Sequence, residues 1–140
     1  MANLNGWPFG QVNPEVASTE ANYIAGANFG KYSDSFEVQR ELKRYLLIRK
    51  ILNRPVTMES KLVDEAWHLF ILDTRNYFTF CECVFGHYLH HVSSKFEPDE
   101  NFKIIYQELF GETPHPMWEP NYVDPLTLEQ WRRFSSDNCA

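Results

Sequence analysis

From Thr57 to about Leu72 apolar side chains fall on nearly every side of a helical wheel: Leu62, Val63, Ala66, Trp67, Leu69, Phe70, Ile71 and Leu72. A helix that is apolar almost all round has to be enclosed by other elements. The segment therefore predicts a helical bundle with this helix nearly surrounded. Its single polar stripe is Lys61, Asp64, Glu65 and His68, with Asp64 and His68 four residues apart on one face. Thr57 is the expected N-cap, and Glu59 falls in the first turn, where the helix dipole favours an anion. Asp73-Thr74 then breaks and recaps the chain.

The flanking segments have the same character. At Asp34-Ser35-Phe36-Glu37 an acid or hydroxyl cap is followed by Glu at capping-box spacing. Val38, Leu42, Tyr45, Ile48 and Leu52 continue from it as one buried stripe, widened by Leu46, Leu47 and Ile51. Asn53-Arg54-Pro55 ends that helix, because proline cannot extend the hydrogen-bond ladder. Arg40, Lys43, Arg44 and Lys50, with Arg49 and Arg54, give the same helix a basic face. A solvated helix face is the plainer reading, and a contact surface for another protein is the functional one. After Asp73, a helix with Tyr77, Phe80, Cys81, Val84 and Phe85 inward runs to Gly86. A fourth opens at Pro98-Asp99-Glu100, buries Phe102, Ile105, Tyr106 and Leu109, and is capped by Gly111. Trp118, in a proline-rich loop, is expected to plug one end of the core, and Thr127-Leu-Glu-Gln130 to start a short last helix carrying Trp131 and Phe134.

Residues 1–34 hold four of the six glycines and follow neither the helical nor the strand period. Trp7, Phe9, Tyr23, Phe29 and Tyr32 are too many aromatics for a free tail, so an irregular arm packed on the helical body is expected. The fold class is thus all-α: a compact bundle of four main helices plus a short C-terminal helix, one domain over 35–140, with the arm against it. A length of 140 residues suits one core, and 44% apolar residues supply it. With 13 basic and 19 acidic residues, general nucleic-acid binding is disfavoured. No segment has the ~20 apolar residues of a membrane span, and Met1-Ala-Asn-Leu-Asn-Gly-Trp7-Pro lacks the pattern of a signal peptide. Three cysteines, with Cys81 and Cys83 spaced C-x-C and Cys139 in a polar tail, form no disulfide framework. A soluble protein of a reducing, cytoplasmic compartment is expected.

From about Val38 to Glu119 the chain resembles the glycine-rich domain-containing protein-like group. The resemblance is carried by Pro55-Val56-Thr57, Val63-Asp64-Glu65-Ala66-Trp67-His68, Ile71-Leu72, Thr74, Tyr77, Cys81, Gly86, His90-His91, Phe110-Gly111 and Trp118. Ser93 stands where that pattern has proline. The resemblance implies a helical module, with links to development and stress responses in plants, and names no chemistry.

Four of the five histidines fall between Val63 and Val92. A zinc or other divalent transition-metal site needs about four N, S or O ligands. His68, Cys81, His90 and His91 are the candidate donors, with Asp64 as a further ligand or as the group that fixes the tautomer of His68. There is no H-E-x-x-H and no C-x-x-C to strengthen this. The plainer reading makes Asp64–His68 a surface pair, Cys81 an inert core residue and His90-His91 caps on helix carbonyls, with His87 and His115 on the surface. A Cys81–His–Asp64 nucleophilic arrangement lacks a nucleophile elbow and an oxyanion loop, and nucleotide-binding fingerprints are absent. Two functions result. One is a non-enzymatic module that binds another protein, with the 63–92 hairpin as an internal polar or metal-stabilised staple and the basic helix as a contact surface. The other is a metal-dependent, hydrolase-like enzyme acting on a small molecule through His68, Cys81 and His90 or His91.

Overall fold

The helix with the basic face is the one the others enclose. In the computed structural model, which describes residues 8–10, 19–91 and 99–123, helix α2 (Phe36–Leu52) is buried without interruption from Glu41 to Arg49. Around it stand α1 (Thr19–Gly26), α3 (Lys61–Leu72) and α5 (Glu100–Phe110), all packed on α2, while α4 (Thr74–Val84) packs on α1 and α3. A 3₁₀ turn, Pro116–Trp118, closes against α3. Among the described residues the protein is all-helical, without a strand, and no helix is long and apolar enough to cross a membrane. The expected helix at Thr127 with Trp131 and Phe134, and the expectations for Trp7, Ser93, Pro98 and Cys139, fall outside the described residues.

Four charged side chains of α2 are buried: Glu41, Lys43, Arg44 and Arg49. A buried charge is tolerated only when hydrogen bonds replace its water, and Glu41 has them. Its Oε1 accepts from Tyr106 Oη at 2.5 Å and from Trp118 Nε1 at 2.9 Å, and its Oε2 accepts from Arg40 Nε at 2.9 Å. Arg44 lies over the rings of Tyr106 and Phe110, 5.3 and 4.9 Å from their centroids. It donates to the Pro8 carbonyl (2.7 Å), Tyr106 Oη (2.5 Å) and Glu112 (2.9 Å). One carboxylate and one guanidinium therefore tie α2 to α5, to the 3₁₀ turn and to the N-terminal arm. Phe9 is fully buried and stacks on Phe110, so the described part of the arm docks on the body. Gly10 holds a positive φ there, and a Cβ would meet the Phe110 carbonyl oxygen at 3.3 Å.

Three expectations are corrected. The basic face is not a partner surface at Lys43 and Arg44, which are 2% exposed; only Arg40 and Lys50 of that set are partly open to solvent. The long Lys and Arg stems run through apolar surroundings while their heads reach carbonyls and rings. Helix α3 is not surrounded either. Val63, Ala66, Trp67 and Phe70 face the core, whereas Leu69 and Leu72 are 51% and 64% exposed. Finally, the arm is not wholly irregular, because α1 forms within it. Its helical period shows in only Ala21 and Ile24, too short a stretch to be read as a pattern. Cap positions also move. Ser35 caps α2, accepting from Val38 N–H at 3.2 Å, and Ser60 rather than Thr57 caps α3, since buried Val56 and Met58 hold 56–60 outside the helix. The Gly111 cap of α5 forms as expected, and Asp99, expected in the first turn, is its N-cap instead.

Lys43 donates to the Ala25 carbonyl at 2.7 Å and sits 5.5 Å from the Phe29 ring centroid. Burial holds its amine down at about 8. The unfolded chain then binds the extra proton between about 8 and the ordinary 10.5, so this residue makes the fold gain stability as pH rises through that window. Denaturation of wild type and Lys43→Met across this range will show wild type gaining relative to the variant above pH 8 and a constant difference below it.

Candidate functional site

The motif residues between Val63 and His91 separate into a buried lock and a scattered set of reactive side chains. Tyr77 on α4 is fully buried. Its hydroxyl donates to the Leu89 carbonyl at 2.5 Å and accepts from Trp67 Nε1 at 3.2 Å. These bonds fasten the segment after α4 across α3. Trp67, Tyr77, Phe80 and Val84 are core residues, as their helical spacing suggested.

The candidate ligands do not assemble. Asp64 Oδ1 and His91 Nε2 are 2.5 Å apart, and His91 packs against Trp67 at 4.9 Å between ring centroids. His68 is exposed, its ring 6.1 Å from that of His91 and at 82° to it, and it is His91 rather than His68 that Asp64 holds. His90 packs on Tyr88 and lines a different hollow, beside Arg49. Cys81 is fully buried next to Tyr77. Among the described residues no three His, Cys, Asp or Glu side chains come together to hold an ion. Burial pushes the Cys81 thiol up, despite hydrogen bonds from the Leu89 backbone and Tyr77 that lower it. A thiol so placed is neither a ready nucleophile nor a ready ligand. His115 is not a free surface residue: its Nδ1 accepts from Met117 N–H at 3.0 Å, and its Nε2 lies 3.2 Å from Glu37.

What the fold does assemble is an aromatic cleft of about 470 Å³ between α1, the 27–32 loop and α4. Phe29, Tyr32, Phe70 and Phe80 make its floor. Phe70 lies 5.0, 4.8 and 5.1 Å from the other three, between ring centroids. Asn22, Asn28, Asn76, Thr79 and Lys31 line it as well. At one end Tyr32 Oη donates to Asp73 Oδ2 at 2.8 Å, and Asn76 Nδ2 donates to the same oxygen at 2.8 Å. Those two hydrogen bonds hold the Asp73 carboxyl below the usual range, while burial and the Asp73 bond push the Tyr32 phenol up to about 12. At the other end a hydrogen bond to Cys83, then burial, raises Tyr23. The sequence signal for this site was the aromatic excess in the arm; its pairing with Phe70 and Phe80 is set by tertiary packing that local periodicity does not encode.

The two cysteines should therefore differ in reactivity. Alkylation of the native protein followed by peptide mapping will label exposed Cys83 and leave Cys81 unmodified until the chain is unfolded. Equal labelling of both in the native state would contradict the buried placement.

No curated protein matches the chain, and no solved structure does. A family model matches residues 28–103, the segment holding α2, α3, α4 and the opening of α5. The match overturns the resemblance to the glycine-rich domain-containing group: the V-D-x-x-W-H, Tyr77, Cys81 and His90-His91 pattern lies inside the matched segment, whereas Phe110-Gly111 and Trp118 lie beyond it. Since that match spans more than half of its length, the chain belongs to the UCP032817-like family, which is uncharacterised.

Proposed function

We propose that this protein is a non-catalytic helical binding module that receives an apolar anchor side chain of a partner protein in its aromatic cleft. The observation that carries the reading is the cleft itself. It has a volume of about 470 Å³, an aromatic floor, and a few amide, hydroxyl and ammonium groups among its lining residues. Binding sites typically combine these features: an apolar floor supplies affinity and a few polar groups fix orientation. Burying one Leu- or Phe-sized side chain there stabilises a complex by about 1.5–3 kcal/mol. The carboxamides of Asn22, Asn28 and Asn76 can each donate to and accept from a partner backbone. Lys31, exposed and beside the cleft, favours an acidic residue next to the anchor.

The metal-enzyme alternative has less to stand on. His68, Cys81 and His90 lie in three different environments, and the closest reactive pair, Asp64 with His91, lacks a third group within ligand reach among the described residues. A staple role for the same segment fits the Trp67–Tyr77–Leu89 hydrogen bonds better than it fits an ion.

Thr79, exposed on α4 and lining the cleft, is a position at which a large side chain can cover the floor without replacing a core residue. Selection from a random-peptide library should enrich segments with one apolar anchor flanked by acids. Their binding should be abolished by Thr79→Trp, with the melting temperature unchanged. Binding that survives Thr79→Trp, or no enrichment at all, would sink the reading.

A further inference from the structure

Arg49 contrasts with the other buried charges of α2. It is 7% exposed and joins no ion pair among the described residues. One Nη donates to the Arg54 carbonyl, but Nε is buried with no hydrogen-bond partner. A buried guanidinium donor left unmatched is costly, and proteins retain such a group where something else completes it. Burial lowers its pKa, with Arg54 adding a smaller effect of the same sign and the Tyr45 and Tyr77 phenols opposing.

Arg49 lines a hollow of about 280 Å³ separate from the aromatic cleft, with its Nε beneath that surface and closed to solvent. Its other polar side chains are Asn53, Arg54, His87, Tyr88 and His90, and among the described residues no Asp or Glu lines it. Two of these are partly engaged: Arg54 pairs with Asp99 at 2.7 Å, and His87 Nδ1 lies 3.0 Å from the Tyr88 carbonyl. Asn53 adopts a left-handed conformation (φ 51°) as the C-cap of α2, its N–H bonded to the Arg49 carbonyl at 3.0 Å. The turn that presents it is thus built on Arg49's own residue. A hollow lined by the unpaired Arg49 guanidinium, by Arg54 already balanced by Asp99, and by two imidazoles and an amide is matched by an anion.

We infer that this hollow binds a phosphate group carried by a small molecule, with Arg49 as its principal donor. Phosphate, rather than carboxylate, fits because the donors come from two segments, 49–54 and 87–90, and a tetrahedral anion offers several oxygens in different directions. A planar carboxylate is satisfied by a single guanidinium fork. The volume of about 280 Å³ suits a phosphate with a small substituent. The site is independent of the aromatic cleft, so either stands without the other.

The test follows the Arg49 Nε–Hε resonance while inorganic phosphate is added to the full-length protein, with potassium chloride and acetate titrated at equal ionic strength. Phosphate should shift it saturably and raise the melting temperature, and the other two should do neither. Arg49→Met should weaken phosphate binding about tenfold or more while leaving the melting temperature without phosphate unchanged or higher, because the uncompensated buried charge is gone. Should Arg49→Met fail to fold, His90→Gln, at an exposed position, should weaken binding about three- to tenfold. The inference is overturned if phosphate gives no saturable shift, if chloride or acetate gives the same shift, or if binding survives whichever of the two substitutions folds.

Discussion

The carboxylate of Glu41 is the fixed point of this fold. It is fully buried, yet it accepts hydrogen bonds from α5, from the 3₁₀ turn and from its own helix, and Arg44 stands 3.7 Å away. Each donor must arrive with its own geometry, so the position of one side chain constrains the docking of two elements far along the chain. Taking away one donor leaves a buried carboxylate short of a hydrogen bond, at a cost of about 1–3 kcal/mol. That is a large fraction of the 5–15 kcal/mol that holds a typical domain together. The aromatic residues around the cluster serve twice: Tyr106 and Trp118 fill core volume with their rings and satisfy Glu41 with their polar tips.

Along α2 the treatment of charge changes. At its N-terminal half Glu41 and Arg44 are saturated by protein groups. Two turns on, at about 1.5 Å per residue, Arg49 is nearly as buried and is not saturated. A core selected only for stability would close both clusters or replace Arg49 by an apolar residue of similar volume. The hollow beside Arg49 therefore reads as a place where an anion from outside balances that charge. The enclosing elements carry a different consequence. Because α2 occupies the centre, α3 and α4 are pushed outward, and the α1–α4 junction opens into the cleft rather than closing over a further helix.

The sequence disclosed the helices and little of the site. The Gly111 cap, the break at Asp73 and the inward Trp67, Tyr77, Phe80 and Val84 follow from rules that act within a few residues, and all appear in the structure. The identity of the central helix does not follow from such rules. Apolar fraction pointed to α3, and the basic face of α2 looked solvated, because nothing within one turn of Lys43 or Arg44 shows that Ala25, Pro8 and Tyr106 will satisfy them. Those partners lie 18 to 62 residues away in the chain. The same limit governs the histidines. His68, His90 and His91 are close in sequence to a hairpin, but the Tyr77–Leu89 bond directs His91 toward Asp64 and His90 toward Arg49.

Native-state hydrogen exchange tests the inversion on which this account rests. Amides of 41–49 in α2 should exchange only through global unfolding, whereas those at the C-terminal end of α3, around Leu69 and Leu72, should open at lower free energy. If α3 were the most protected helix and α2 exchanged by local opening, the buried charged helix would not be the centre of the fold and the account would be wrong.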